Sequence, residues 1–217
     1  MNINNEIKEY IEHNILPEYS NFDGGHDIRH INAVVERSFG YYNCLKDKYD
    51  LNQDMIYVVA CYHDIGMKIS RDNHATHSAE LLMQDKNLQK WFSFAEIETM
   101  ANAVEDHSTS SKNPPRSIYG QIVCDADKDI DAKICIIRAW EFSLKTYPNY
   151  TFKQRVEEIH KEIVRRFGDE KIGGKNLVKF YIQNAQNTKF LCDMRAYAND
   201  IELLKNDYIS FKNQNKI

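Results

Sequence analysis

The sequence predicts an all-α fold, and three observations carry that expectation. Apolar residues recur at spacings of three and four, no stretch keeps the strict alternation of a half-buried strand, and only four prolines and eight glycines interrupt 217 residues. A hydrophobic content of 42% is enough for a sizeable core, and the length favours one domain or one domain with a modest extension. The net charge of -4 argues against a general binder of nucleic acid or of anionic membrane. Cys44, Cys61, Cys124, Cys135 and Cys192 form no CxxC and leave one over, which points to free thiols in a reducing compartment. The first residues carry no apolar leader and no later run reaches the roughly 18 apolar residues of a membrane span, so the cytoplasm is the expected location.

Taken in order, the first helix uses Ile3, Ile7, Tyr10 and Ile11 and stops near Asn14 to Pro17. A loop from Ser20 to Gly25 follows, and a second helix begins at about Asp27 and buries Ile31, Val34, Val35, Ser38 and Tyr42. His26 and His30, four apart, share one face of its start. The third helix is the apolar run Met55 to Cys61, ending in Tyr62-His63-Asp64-Ile65-Gly66. Asn73 is a candidate cap for a fourth, with His74 and His77 in its first turn. Another helix runs from about Trp91 to His107 and ends in the Ser-rich loop Ser108 to Pro115. Asp125, Asp127, Asp129 and Asp131 alternate, so at most one or two of them face a common point. The loop Gly168 to Gly174 is the best internal break, which divides the chain into a core at 1–168 and a C-terminal extension at 169–217. From Leu177 onward the apolar spacing predicts one long amphipathic helix, interrupted at most near Asn187, packed on the core or on a second subunit as a homodimer.

The His63-Asp64 doublet is the most informative stretch. Adjacent helical side chains point about 100° apart and converge only near a helix end, where Gly66 can turn the backbone away. A divalent metal is a natural object for that convergence, since imidazole and carboxylate are both metal ligands and a buried carboxylate needs a compensating charge. Taken alone, the pair fits equally well a buried Asp capping backbone amides beside a satisfied His. His30 and an Asp at 125 to 127 lie on two further helices, and a bundle could gather all of them around one metal.

The order His30, His63-Asp64, Asp127 resembles the HD-domain superfamily of metal-dependent phosphohydrolases, whose mark is a His, a His-Asp doublet and a distant Asp on helices. The resemblance runs from about residue 20 to residue 205 and is nearest the small bacterial HD hydrolases. It rests on His26-Asp27-Ile28-Arg29-His30, His77-Ser78-Ala79-Glu80, the apolar helix ending in His107-Ser108, and Asp125-Ala126-Asp127-Lys128. It implies a single HD-type helical bundle and a metal held by His30, His63, Asp64 and Asp127. Asp127 is preferred because the family's Asp follows a small residue and precedes a basic one; Asp125 then orients a ligand or a water, and the reverse order stays open. Two stretches depart from the subgroup. Asp129-Ile130-Asp131-Ala132-Lys133 stands where an Arg-Leu-Asp-Ala-Ile-Gly type of run is usual, and Val178 to Ala185 lacks the His-Phe-Tyr-Glu-Lys-Leu pattern, which weakens any inference of substrate.

The implied chemistry is hydrolysis at phosphorus by a metal-activated water. Mixed nitrogen and oxygen donors favour Mn, Fe or Ni, with Mg and Zn also compatible. Lys68, Lys128 and Arg29 are the basic residues nearest the ligands in sequence and are the candidate phosphate-binding groups. His77, His107 and Asp125 are the candidate catalytic groups, the two histidines as general acid, phosphate donor or ligands of a second metal; His74 and His26 rank below them. The expected partner is a small phosphate substrate, a nucleotide first among them. Triphosphates, monophosphates, cyclic nucleotides and guanosine polyphosphates all remain open, and neither nucleic acid nor membrane is expected. The alternative is an HD-fold binding or signalling module that keeps the metal without turnover.

Overall fold

The computed structural model describes residues 2–22, 26–108 and 113–215, the side chains of 21 and 211–215 apart. Asp23, Gly24 and Gly25 of the first expected loop, and residues 109–112 of the Ser-rich loop, lie outside the described residues. The fold is all-α, with no strand among the described residues, and no helix there is long and apolar enough to cross a membrane. The chain divides into two compact units, Met1–Lys128 and Asp129–Ile217.

In the first unit, α1 (Asn5–Asn14), α2 (Ile28–Leu45), α4 (His74–Gln84), α5 (Phe94–Asp106) and α6 (Ile118–Asp127) surround α3 (Gln53–Tyr62). Every α3 residue from Met55 to Tyr62 is buried, as an apolar run without a polar face requires. At about 1.5–3 kcal/mol for each large apolar side chain withdrawn from water, this helix anchors the unit. Its start is capped by Asn52, whose side chain accepts from the N–H groups of Asp54 and Met55. Asp27 caps α2 in the same way, accepting from Arg29 and His30, and Ser93 with Glu96 forms a capping box on α5. Asn73 precedes α4 as expected, but its side chain makes no capping bond.

Beyond Asp64 the chain tightens into a 3₁₀ turn, Ile65–Lys68, packed against α4. Gly66 donates its N–H to Ser78 Oγ at 2.8 Å. A Cβ at Gly66 would lie 2.2 Å from His74 O and 2.5 Å from Ser78 N, both backbone atoms, so only glycine lets the turn and the helix meet.

The second unit contains α7 (Ala132–Thr146), α8 (Phe152–Phe167), α9 (Ala185–Asn199) and α10 (Ile201–Asn215) around Trp140, Ile163, Phe167, Phe190 and Met194. Two expectations need correction here. The expected single C-terminal helix is two, because Asp200 is extended and its carboxylate caps the N–H groups of Glu202 and Leu203. Residues 177–184, expected to be helical, are not: the N–H groups of Lys175 and Leu177 donate to Arg165 O and Arg166 O, satisfying carbonyls that end α8. The compact units meet at Lys128/Asp129, and α8 and α9, on either side of Gly168, share one core in which Phe167 meets Phe190 edge-on at 5.7 Å.

Gly66→Ala is expected to lower unfolding stability by about 1–3 kcal/mol or more, since neither backbone neighbour can move aside cheaply. Urea denaturation measures it, and a midpoint equal to that of the parent would show that the turn and α4 do not pack this closely.

Candidate metal centre

The site lies within the first unit and is assembled at helix ends. His63 closes α3, Asp64 follows in a bridge conformation (φ -109°, ψ 2°), His30 sits in the first turn of α2 and Asp127 ends α6. His30 Nε2 is 3.0 Å from Asp127 Oδ1 and 3.3 Å from His63 Nε2, and His63 Nε2 is 3.2 Å from Asp64 Oδ2. All four ligating atoms lie within 4.8 Å of one another.

A second group shares Asp64. His74 Nε2 and His107 Nε2 are 3.1 Å apart, and each is 3.4 Å from Asp64 Oδ1. Asp64 thus turns Oδ2 to one pair of histidines and Oδ1 to another.

Three of the four histidines are held by one local device. His63 Nδ1 bonds to Ala60 O, His74 Nδ1 to Arg71 O and His107 Nδ1 to Val104 O, each three residues back. A carbonyl can only accept, so Nδ1 carries the proton and Nε2 presents a lone pair toward Asp64 when the ring is neutral. Two imidazole lone pairs facing each other at 3.1 Å repel unless a cation lies between them. Metal bonds of about 2.0–2.2 Å place neighbouring ligand atoms about 3.0–3.5 Å apart, close to the spacings here, so the donor set fits divalent metal at both groups.

Electrostatics point the same way. Burial alone would strip the proton from His63, but the carboxylates of Asp64 and Asp127 outweigh it and raise its pKa well above the ordinary histidine value. Burial would favour neutral Asp64 too, yet His63 and His107 hold it well below the carboxylate range; His30 and His63 do the same for Asp127. Without metal, a proton on His63 offsets the acids. With metal, the ion replaces that proton.

Exposure defines an open side. The side chains of His63, Asp64 and His107 are 0%, 3% and 2% exposed, whereas His74 and Asp127 are 24% and 26% exposed. His74 and Asp127 are thus the most solvent-exposed of the ligating residues.

The remaining sequence candidates lie elsewhere. His77 is outside both groups, its Nδ1 at 3.3 Å from Glu80 Oε2. His74, ranked lower from sequence, stands in the second group with His107. Asp125 is fully buried and accepts from Lys128 Nζ at 2.8 Å, outside both groups. Arg29 forks onto Asp27, its own helix cap, and Lys68 reaches Glu18 at 3.2 Å. His26 contacts the rings of His30 and His74, with centroids at 6.0 and 6.4 Å. The four alternating aspartates have separate places: Asp127 in the centre, Asp125 on Lys128, Asp129 on Arg138 and Asp131 capping α7.

A pH dependence follows from these shifts. The raised pKa of His63 gives the metal-free protein stability that is full below about 6.5 and lost as pH rises through the folded value. The depressed acids give stability present above about 3.9 and lost as pH falls toward their folded values. The metal-free chain should therefore lose site-derived stability on the alkaline side, where metal, no longer competing with the His63 proton, binds best. Thermal unfolding with chelator and with Mn²⁺ should show a melting difference that widens from about pH 5 to pH 8. A difference that stays constant would contradict the exchange of proton for metal.

Comparison with known proteins adds three findings. Residues 35–130 match the family model of the HD domain. A crystal structure titled a predicted HD superfamily hydrolase, from an uncultured Thermotogales bacterium, is similar at 22% identity and a TM-score of 0.49, over 75% of this chain and 88% of that one. No curated protein matches. The matched segment holds His63, Asp64, His74, His107 and Asp127, and His30 lies just before it.

Proposed function

We propose that this chain is a metal-dependent phosphohydrolase that cleaves a phosphate ester or anhydride of a nucleotide or a related small molecule. The observation that carries the reading is the sharing of Asp64 between His30-His63-Asp127 and His74-His107. Divalent metal held there, Mn, Fe or Ni by its donor set, supplies a water nucleophile at neutral pH and a Lewis acid for phosphoryl oxygens. His107 and His74 then serve as ligands of a second ion, and His107 is not the general acid.

The chain's own residues orient the reaction. His63, Asp64 and His107 are walled in, so the phosphate comes to rest on the side of His74 and Asp127. Arg29, Lys68 and Lys128 hold Asp27, Glu18 and Asp125, so the charge of the phosphate is met chiefly at the centre. Lys128 neutralises buried Asp125, two residues before Asp127, and keeps the end of α6 in place.

The test is a phosphate-release screen across nucleoside mono-, di- and triphosphates, cyclic nucleotides and sugar phosphates, with Mn²⁺ and Mg²⁺ supplied in turn. Turnover of at least one class is expected, with a loss of at least about 10²-fold in His107→Ala and in Asp127→Ala and a smaller change in His77→Ala. Metal binding without release from any phosphate would favour a binding module and overturn the proposal.

A further inference from the structure

The doublet is usable only because α3 stops where it does, and the stop has an identifiable agent. In a continuing helix the N–H of Asp64 would donate to Ala60 O, but that carbonyl is taken by the ring of His63 at 2.8 Å. The carbonyls of the last turn likewise lack helical partners. Into this break comes the hydroxyl of Tyr19, from the 3₁₀ segment Leu16–Asn21, 42 residues before the helix end. It donates to Cys61 O at 2.8 Å, and its oxygen lies toward the backbone N–H of Asp64. Tyr19 is fully buried, with its ring edge-on to Phe22 at 5.2 Å.

We propose that Tyr19 is a positioning residue of the metal centre: its hydroxyl bridges the broken ladder of α3 and sets the backbone angle at which Asp64 offers one carboxylate oxygen to each histidine pair. The inference rests on the metal-centre reading above and adds a residue that lies before the HD-domain match. Inserting a side-chain group into the backbone ladder of a helix is a recognised way to bend it. Without it both groups are buried and unmet, and the Asp64 peptide is free to rotate. The two carboxylate oxygens then no longer point at both pairs. Tyr19 belongs to neither metal-ligating group, so it acts on the metal by way of Asp64.

The test compares the parent with Tyr19→Phe and Tyr10→Phe, titrated calorimetrically with Mn²⁺ alone in the full-length chain. Tyr10 is a control, because its hydroxyl bonds to Asp85 at 2.5 Å and not at the helix break. Tyr19→Phe should keep its helical spectrum and bind Mn²⁺ about 10- to 100-fold more weakly. Tyr10→Phe should melt earlier with its Mn²⁺ affinity unchanged. Equal Mn²⁺ affinity in Tyr19→Phe and the parent overturns the proposal and leaves the centre standing; a parent that binds no Mn²⁺ overturns both. Should Tyr19→Phe fail to fold, amide hydrogen exchange on the parent decides the matter. An Asp64 N–H as protected as the amides inside α3 supports the bridge, and one that exchanges like an open loop rules it out.

Discussion

Everything in the first unit leads to one carboxylate. Asp64 is 3% exposed and faces four imidazoles, two through each oxygen, a concentration of charge and lone pairs that burial would otherwise penalise heavily. The fold accommodates it by exhausting other hydrogen-bonding options first. Each of three histidines spends its Nδ1 proton on a carbonyl three residues back, so only Nε2 is left to turn inward. The apolar length of α3 fixes the depth at which this happens, and Gly66 brings the start of α4, with His74, against the turn. The centre is thus a product of helix ends, where backbone groups need side chains and side chains can converge.

The second unit is organised by different means. Its core is aromatic, with Trp140 stacked on Tyr208 at 3.5 Å and buried Arg155 donating to Ser143 O and Pro148 O. None of the residues in the two metal-ligating groups comes from it. The departures from the small HD hydrolases noted at 129–133 and 178–185 fall within this unit. They lie in the connection into α7 and in the stretch before α9.

Much of this was legible in the sequence because it depends on local pattern. A 3.6-residue periodicity with few breakers gave the all-α class, and a His-Asp pair at the end of a wholly apolar helix pointed to the place where the candidate ligands gather. Other features depend on rotation and long-range pairing, which one sequence does not display. His74 and His77 both open α4, and which of them faces Asp64 is decided by how Ala75, Ser78 and Leu82 bury. Arg29 and Lys68 are near the ligands in sequence, but Asp27 and Glu18 are nearer to their charged ends. Apolar spacing runs through Asp200 without interruption, so only its capping role reveals that the helix stops there. Tyr19 carried no signal, since a tyrosine in a short connecting segment reads as ordinary core.

Asp64 belongs to both candidate metal groups, and counting ions tests directly whether it joins two metal positions. Native mass spectrometry of the Mn²⁺-loaded chain should give two ions per chain, one in His74→Ala, and none held tightly in Asp64→Asn. A His74→Ala chain with the same count as the parent, or an Asp64→Asn chain that retains one ion firmly, would show that the carboxylate does not join the two groups.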